Sequence, residues 1–303
     1  ELRADERREA EPEPELSGDL RTAGAGAEHP RNGLLGVGAG ELNVGVLVAR
    51  RDRPVFYECA GYRHVEAGLP VTEDTVFRIF SMTKPVVSVA ALMLYEQGAF
   101  QLDDPVARVL PEFEHMEVLV DDGPHRGRRE PAARPITIGH LLTHTAGLTY
   151  WFMSRDPVSA LYRDEGIDFV RGEGALADMV ARVARLPLVA HPGTQWQYSV
   201  ATDVLGRLLE VVSGQRLDRF LAETVLAPLG MHDTGFAVGD HQLARFAALY
   251  GPPGGDALLA GDAGVERPDG GLELLETPEQ SAFRAPVGLH SGGGGLVSTA
   301  PDY

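Results

Sequence analysis

Lysine is nearly absent from this sequence. Of the 27 Lys and Arg residues in the 303-residue chain, 26 are Arg and one, Lys84, is Lys. Cysteine is as scarce: Cys59 stands alone, which excludes an internal disulfide and any metal site built from several thiolates. No run of about 18 apolar residues occurs, so the sequence predicts no membrane span. Positive charge is in deficit, with 44 acidic residues against 27 basic ones and a net charge of −17. Such a balance argues against a nucleic-acid or anionic-membrane partner, either of which needs a basic face. The chain opens at Glu1 without Met and without the basic-then-apolar pattern of a secretion signal. We therefore expect a cytoplasmic location and a natural start upstream of Glu1.

What is present reads as a soluble globular protein, 44% apolar and 23% charged, long enough for one large domain or two lobes. Residues 1–40 read as a poorly ordered lead-in: "ELRADERREAEPEPELSGDL" is charged and proline-broken, and a glycine-rich stretch follows. Those glycines lack the G-x-G-x-x-G spacing of a dinucleotide loop. "VGVLVARRDRPVFYECAGYR" predicts two strands about a tight turn at Arg51 to Arg53, and "TVFRIF" a short third apolar run. From Ser81 to Gln97 the pattern is helical, stopping at Gly98 and apolar nearly all round (Val86, Val87, Val89, Leu92, Met93, Leu94), hence expected to be buried. Between about 100 and 230, "TIGHLLTHTAGL", "GALADMVARVARLP", "SVATDVLGRLLEVVSG" and "RLDRFLAETVLAPLGM" predict a largely helical lobe. Beyond Asp233 short strands are expected, with a turn at "GGGG" (292–295) and a capped helix start in "LVSTAPDY".

The lone lysine stands three residues after Ser81. With ten serines and one lysine, S-x-x-K arises by chance about 0.03 times in such a chain. At a helix start, residues three apart share a face about one turn from each other. The helix N-terminus stabilises a developing alkoxide on Ser81 and disfavours the ammonium form of Lys84, and burial acts in the same direction. Arginine cannot serve as such a base, because its guanidinium stays charged. A bias that accepts Arg at 26 positions would fail at this one. The plainer alternative is that Ser81 caps the helix and Lys84 snorkels from its first turn.

Tyr198, in "HPGTQWQYSVATDVLG", follows a Pro-Gly turn and precedes a helix. A phenol near a lysine amine could relay protons, although a tyrosine is more often a core residue with a satisfied hydroxyl. A Ser–His–acid triad is the mechanistic competitor, with His140, His144, His191 and His290 as bases, yet no G-x-S-x-G elbow exists. "HSGGGG" has the glycine content of an oxyanion loop, with no nucleophile following it. There is no H-E-x-x-H, and the Asp103–Asp104 and Asp121–Asp122 pairs read as solvated turns.

Together, "FRIFSMTKP", "QLDDPVARVLPEF", "PITIGHLLTHTAGL", "HPGTQWQYSVATDVLGRLLEVVSGQ", "LAPLGMHDTGF" and "GGGGLVSTAPDY" resemble, in order, the boxes of the serine β-lactamase-related family. That group includes class C β-lactamases, family VIII carboxylesterases and D-alanyl-D-alanine carboxypeptidases, and the match spans 44–303. The resemblance implies an α/β (α+β) fold of the β-lactamase/transpeptidase type: an antiparallel sheet flanked by helices, with an inserted all-α lobe. We expect the domain to cover 41–303, with an α/β lobe (41–100 and 231–303), an α lobe (101–230) and the site between them. It also implies Ser81 as acylated nucleophile, Lys84 as general base and Tyr198 as proton shuttle, acting on a small-molecule ester or amide with no metal or organic cofactor. Where class C β-lactamases have Tyr-x-Asn, this sequence has Tyr198-Ser199-Val200, so a carboxylesterase is favoured over a β-lactamase. D-amino-acid peptidase, acyltransferase and non-turnover acyl-binding readings remain open.

Two further departures shape the expectation. The family's third motif, on a strand beyond the "GGLVSTA" box, supplies one backbone donor of the oxyanion hole, the other being the Ser81 N–H. This chain ends at Tyr303 before it, which reads as a C-terminal truncation with little activity of its own. Removing one such donor typically lowers the rate about a hundred- to a thousandfold. Residues 1–40 also lack the amphipathic helix that usually precedes the first strand.

Overall fold

A computed structural model describes residues 44–51, 53–120, 127–152, 156–168, 174–251, 272–284 and 287–303. The chain divides into two units at Gly36, and every described residue belongs to the second, Val37–Tyr303. The expected lead-in, 1–40, lies outside the described residues, as does the Asp121–Asp122 pair.

Strands β1 (Val44–Arg50) and β2 (Arg53–Ala60) pair antiparallel from Val44↔Ala60 to Arg50↔Arg53, with a register shift between Val48 and Ala49. The predicted strand–turn–strand is therefore present, and Arg51 turns the chain with φ of 51°. Strands β3 (Tyr62–His64) and β4 (Leu69–Pro70) form a second short ladder. The "TVFRIF" run contains β5 (Phe77–Arg78). Within the expected helical lobe lies a hairpin of β6 (Glu117–Val120) and β7 (Arg128–Pro131). Late in the chain β8 (Leu249–Gly251) pairs with β9 (Glu273–Glu276), and β10 (Val297–Ser298) returns to pair with β5. All five ladders among the described residues are two-stranded and antiparallel.

Helix α1 (Thr83–Glu96) ends before Gly98, whose φ of 78° takes the left-handed turn that stops a helix. In α2 (Ile138–Leu142) the Thr137 hydroxyl accepts from the His140 N–H at 3.2 Å, and the Thr137 N–H donates to His140 Nδ1 at 3.1 Å. Helix α3 (Pro157–Asp164) starts at Asp156, which accepts from the Ser159 N–H at 2.8 Å, with Pro157 at the first helical position. Helices α4 (Leu176–Val183) and α5 (Ala201–Ser213) bury residues three and four apart: Leu176, Met179, Val180 and Val183 in one, Ala201, Val204, Leu205 and Leu208 in the other. Helix α6 (Leu217–Leu221) runs through a π-helical turn, Ala222–Leu226, into α7 (Ala227–Leu229), and Gly230 at φ 70° closes it. Helix α8 (Asp240–Leu243) is one turn. In "LVSTAPDY" the Thr299 hydroxyl accepts from the Asp302 N–H at 3.3 Å and its carbonyl from the Tyr303 N–H at 3.2 Å, a capped turn where a capped helix start was expected.

One large apolar cluster joins α1 to α2, α4, α5 and α6, and a smaller one gathers Val76, Val238, Phe246, Phe283 and Val297 around the β5–β10 ladder. Helix α1 corrects its expected burial. Val86, Val87, Ala90 and Leu94 face the core, but Val89 and Leu92 remain 48% and 42% exposed. The buried face packs on α5 and the π-helical turn, and among the described residues nothing covers the other side. No described helix is long and apolar enough to cross a membrane.

The β5 strand is locked from the side by Arg78. Its buried guanidinium donates to Glu276 Oε1 (Nε, 3.1 Å), the Ala247 carbonyl (2.6 Å) and Ser281 Oγ (3.0 Å), and lies 4.1 Å over the Phe246 ring. Arg78→Met leaves the Glu276 carboxylate largely buried without its cation, at a cost of about 3–5 kcal/mol. Urea unfolding should show that loss, and adding Glu276→Leu should restore part of it.

Candidate active site

Ser81 is the middle residue of a 3-10 turn, Phe80–Met82, immediately before α1. Phe80 adopts φ of 41°, a left-handed conformation that a bulky residue rarely takes. The strained turn presents Ser81 to solvent, while Lys84, one turn into the helix, is only 8% exposed. Lys84 Nζ lies 3.1 Å from Ser81 Oγ. The cap position of α1 is Met82, with no side-chain cap bond, so the reading of Ser81 as a helix cap does not hold.

The β5–β10 ladder brings the glycine-rich box to this pair. Val297 pairs with Arg78, the Ile79 N–H donates to the Leu296 carbonyl at 3.1 Å, and the Leu296 N–H donates to Thr83 Oγ1 at 3.0 Å. Lys84 Nζ then donates to the Gly293 carbonyl at 2.6 Å. "HSGGGG" thus does face the Ser81–Lys84 pair, which precedes it in sequence. A Cβ on Gly293 would fall 2.3 Å from Asp203 Oδ2 and 2.9 Å from Tyr150 Oη, so this close approach admits only glycine.

Tyr198 lies on the extended segment before α5. That segment is tied to the 144–149 loop by Gln197 N–H to His144 O (2.8 Å), Gln197 Nε2 to Thr149 Oγ1 (3.3 Å) and Val200 N–H to Thr149 O (3.4 Å). On the same loop Gly147 lets the 188–190 segment approach closely, since a Cβ there would meet the Ala190 carbonyl oxygen at 2.2 Å and its φ is 81°. Lys84 Nζ lies 4.6 Å from the Tyr198 ring centroid and 5.4 Å from that of Tyr150. Aromatic faces attract a cation at such range. Among the described residues no hydrogen bond joins the Tyr198 hydroxyl to Ser81 or Lys84. Trp196, 64% exposed, stacks on Tyr198 at 6.2 Å and 21°.

The histidines take other work. His140 caps α2, His191 pairs with Glu130 (3.2 Å) and accepts from the Ala133 N–H, and His290 packs edge-on against Phe236 near Asp218. His144, at φ 54°, packs its ring 4.9 Å from Tyr198 and sets Nδ1 3.3 Å from Ser199 Oγ. Among the described residues none hydrogen-bonds to Ser81, and no three His, Cys, Asp or Glu side chains cluster as metal ligands. Asp104 accepts from Gln101 N–H (2.8 Å) and pairs with Arg108, as a turn carboxylate does.

Sequence reasoning missed Asp203, Ser291, Gly293 and Tyr150, all of which line the lysine's surroundings. Asp203 and Ser291 are fully buried, and Ser291 Oγ donates to Asp203 Oδ1 at 2.5 Å. The one available signal was position: Asp203 lies inside the Tyr198 box, Tyr150 lies two residues after the "THTAGL" segment, and Gly293 lies inside the glycine box.

With this geometry in place, a family model described as Beta-lactamase matches residues 31–303. The chain belongs to that family. Its fold is the β-lactamase/transpeptidase type, with mixed helices and strands, as the resemblance implied. Among relatives, Esterase EstB of Burkholderia gladioli is 36% identical over 261 residues, covering 84% of this chain and 62% of its own. Acyltransferase calJ of Penicillium decumbens is 32% identical over 255 residues, 82% of this chain and 56% of its own. The solved structure of EstCE1, a hydrolase with promiscuous acyltransferase activity, aligns with a TM-score of 0.67 at 33% identity, covering 85% of this chain and 64% of that one. This chain spans about six-tenths of the length of the curated relatives it matches.

Burial, and after it the charge of Lys84, lower the His144 pKa to about 4. His144 should therefore stay neutral at pH 5 and above, and its ring signals in a proton NMR titration should not move between pH 5.5 and 8. In Lys84→Met its pKa should rise yet stay below 6.5, because burial remains. The linkage sign follows from a depressed folded value. His144's contribution to stability is complete above about pH 6.5 and is lost as the pH falls toward 4.

Proposed function

We propose that the protein is a serine hydrolase that works through an acyl-enzyme on Ser81, and that its substrates are small carboxylic esters. The observation that carries this is the position of Lys84 Nζ, 3.1 Å from Ser81 Oγ and held from behind by the Gly293 carbonyl. Membership of the Beta-lactamase family and the similarity to Esterase EstB support it.

In this reading Ser81 Oγ attacks the ester carbonyl carbon while its proton passes to the lone pair of Lys84 Nζ, which acts in its unprotonated form. The carbonyl π pair moves onto oxygen, with the Ser81 N–H as one donor to that oxyanion. As the intermediate collapses, the C–O bond to the alcohol breaks. The departing alkoxide takes back the proton, with Tyr198 as the relay from Lys84. Water then repeats the sequence on the acyl-enzyme: its proton goes to the same base, the Oγ–acyl bond breaks, and Ser81 recovers its proton. No step requires a metal or an organic cofactor.

Ester over β-lactam is favoured by Val200. It stands where class C β-lactamases have an asparagine, and at 1% exposure its side chain belongs to the core, where it can donate nothing to a substrate amide. Acyl transfer to an alcohol is a second reading, since calJ is an acyltransferase and EstCE1 has promiscuous acyltransferase activity. It differs only in the group that attacks the acyl-enzyme.

Intact mass after exposure to a fluorophosphonate is the test. One adduct is expected on the protein and none on Ser81→Ala. Lys84→Arg should react at least about a hundredfold more slowly, because a permanently charged side chain cannot accept the proton. An adduct that survives in Ser81→Ala, or no adduct on folded protein, overturns the reading. With a p-nitrophenyl ester as donor and excess alcohol, a new ester product would mark the transferase reading and free acid alone the hydrolase.

A further inference from the structure

Behind Lys84 lies a carboxyl group that the mechanism above leaves unused. Asp203, on the first turn of α5, has no exposed surface. Its Oδ1 accepts from Ser291 Oγ at 2.5 Å and from the Gly293 N–H at 3.0 Å. Ser291 Oγ also accepts from the Gly294 N–H at 3.1 Å, and its carbonyl accepts from the Gly295 N–H at 3.0 Å. The whole glycine loop is thus wound about one aspartate and one serine. Asp203 Oδ2 has no hydrogen-bond partner among the described residues.

A carboxyl group in such a place is an expensive way to fill space. Burial pushes its pKa up, opposed by Ser291, the Lys84 charge and the Gly293 N–H. Well-packed apolar residues commonly replace buried ionic groups without loss of stability. A glycine-rich loop, by contrast, cannot hold its own shape, because each glycine explores a wide range of backbone angles. The Gly293 carbonyl shares its peptide plane with the Gly294 N–H, which donates to Ser291 Oγ at 3.1 Å, so the Asp203–Ser291 pair aims that carbonyl by fixing the planes on both sides of Gly293.

We infer that Asp203 is a positioning residue: by clamping the Ser291–Gly293 turn it aims the Gly293 carbonyl at Lys84 Nζ, and so keeps the amine on Ser81 Oγ. The inference rests on the Ser81–Lys84 reading above. It asks the loop to restrain a side chain with a flexible four-carbon stem. A displacement of about 1 Å in such a group lowers a rate by about a hundredfold.

The test compares Asp203→Asn, Asp203→Ala and Ser291→Ala with the unsubstituted protein. It reads the rate of Ser81 phosphonylation per titrated site, the kcat and KM on a p-nitrophenyl ester, and thermal unfolding. Asparagine keeps an acceptor oxygen at the Oδ1 position and should retain the rate within about fivefold. Alanine should lose about a hundredfold in phosphonylation and in kcat with KM changed less than threefold. Were Asp203→Ala not to fold, Ser291→Ala keeps the carboxyl group and removes one arm of the clamp, with an expected loss of about tenfold. Alanine variants as fast per site as the parent overturn the inference, as do asparagine and alanine variants that are equally slow. If the unsubstituted protein itself takes no label at Ser81, the proposed function fails, and the inference with it.

Discussion

The contact on which the site depends is the one between Lys84 Nζ and the Gly293 carbonyl, 2.6 Å long and closing a separation of 209 residues in sequence. A lysine nitrogen sits on a flexible four-carbon stem with freely rotating donors, so S-x-x-K spacing alone does not aim it at the serine. A fixed acceptor on the far side does. The fold supplies that acceptor by returning β10 to β5, so that the turn carrying Ser81 and the loop carrying Gly293 share one short ladder. The bonds from Ile79 to Leu296 and from Leu296 to the Thr83 hydroxyl carry that contact on past the ladder's end to the first turn of α1. Behind it, Arg78 anchors β5 through Glu276, Ser281 and the Phe246 ring.

Electrostatically the site is a lysine nitrogen set among aromatic faces and the Gly293 carbonyl. Tyr198 and Tyr150 flank the amine, and the neighbouring imidazole of His144 is held neutral by burial and by the lysine itself. His144 therefore adds no positive charge beside Lys84 at neutral pH. The exposed Trp196 continues the aromatic wall outward from Tyr198.

How much of this could be read in the sequence follows from range. Ser81 and Lys84 are legible because three residues within one helix turn is a local geometry, and because arginine's dominance makes the single lysine conspicuous. The β1–β2 hairpin, α4 and α5 are legible for the same reason: turn residues, apolar spacing and a terminal glycine are neighbours in the chain. The "THTAGL" segment was expected to be helical, but α2 stops at Leu142, since His144 and Gly147 take positive φ to bring this loop against the Tyr198 segment. The β6–β7 hairpin escaped notice because charged Arg128, Arg129 and Glu130 hide a four-residue ladder. Least legible are Asp203 and the Gly293 carbonyl. One is a carboxyl group in the midst of an ordinary apolar helix pattern, and the other is a main-chain atom, which leaves no trace in residue identity.

The claim at the centre is that Lys84 is held on Ser81, and the scarcity of lysine makes it directly measurable. Protein labelled with nitrogen-15 in lysine side chains should give a single amine signal, because the chain contains one lysine. The account predicts that this signal lies apart from that of free lysine and moves when Ser81 is phosphonylated, since the modified oxygen is its hydrogen-bond partner. A signal at the free-lysine position, unchanged when Ser81 carries the adduct, would contradict it.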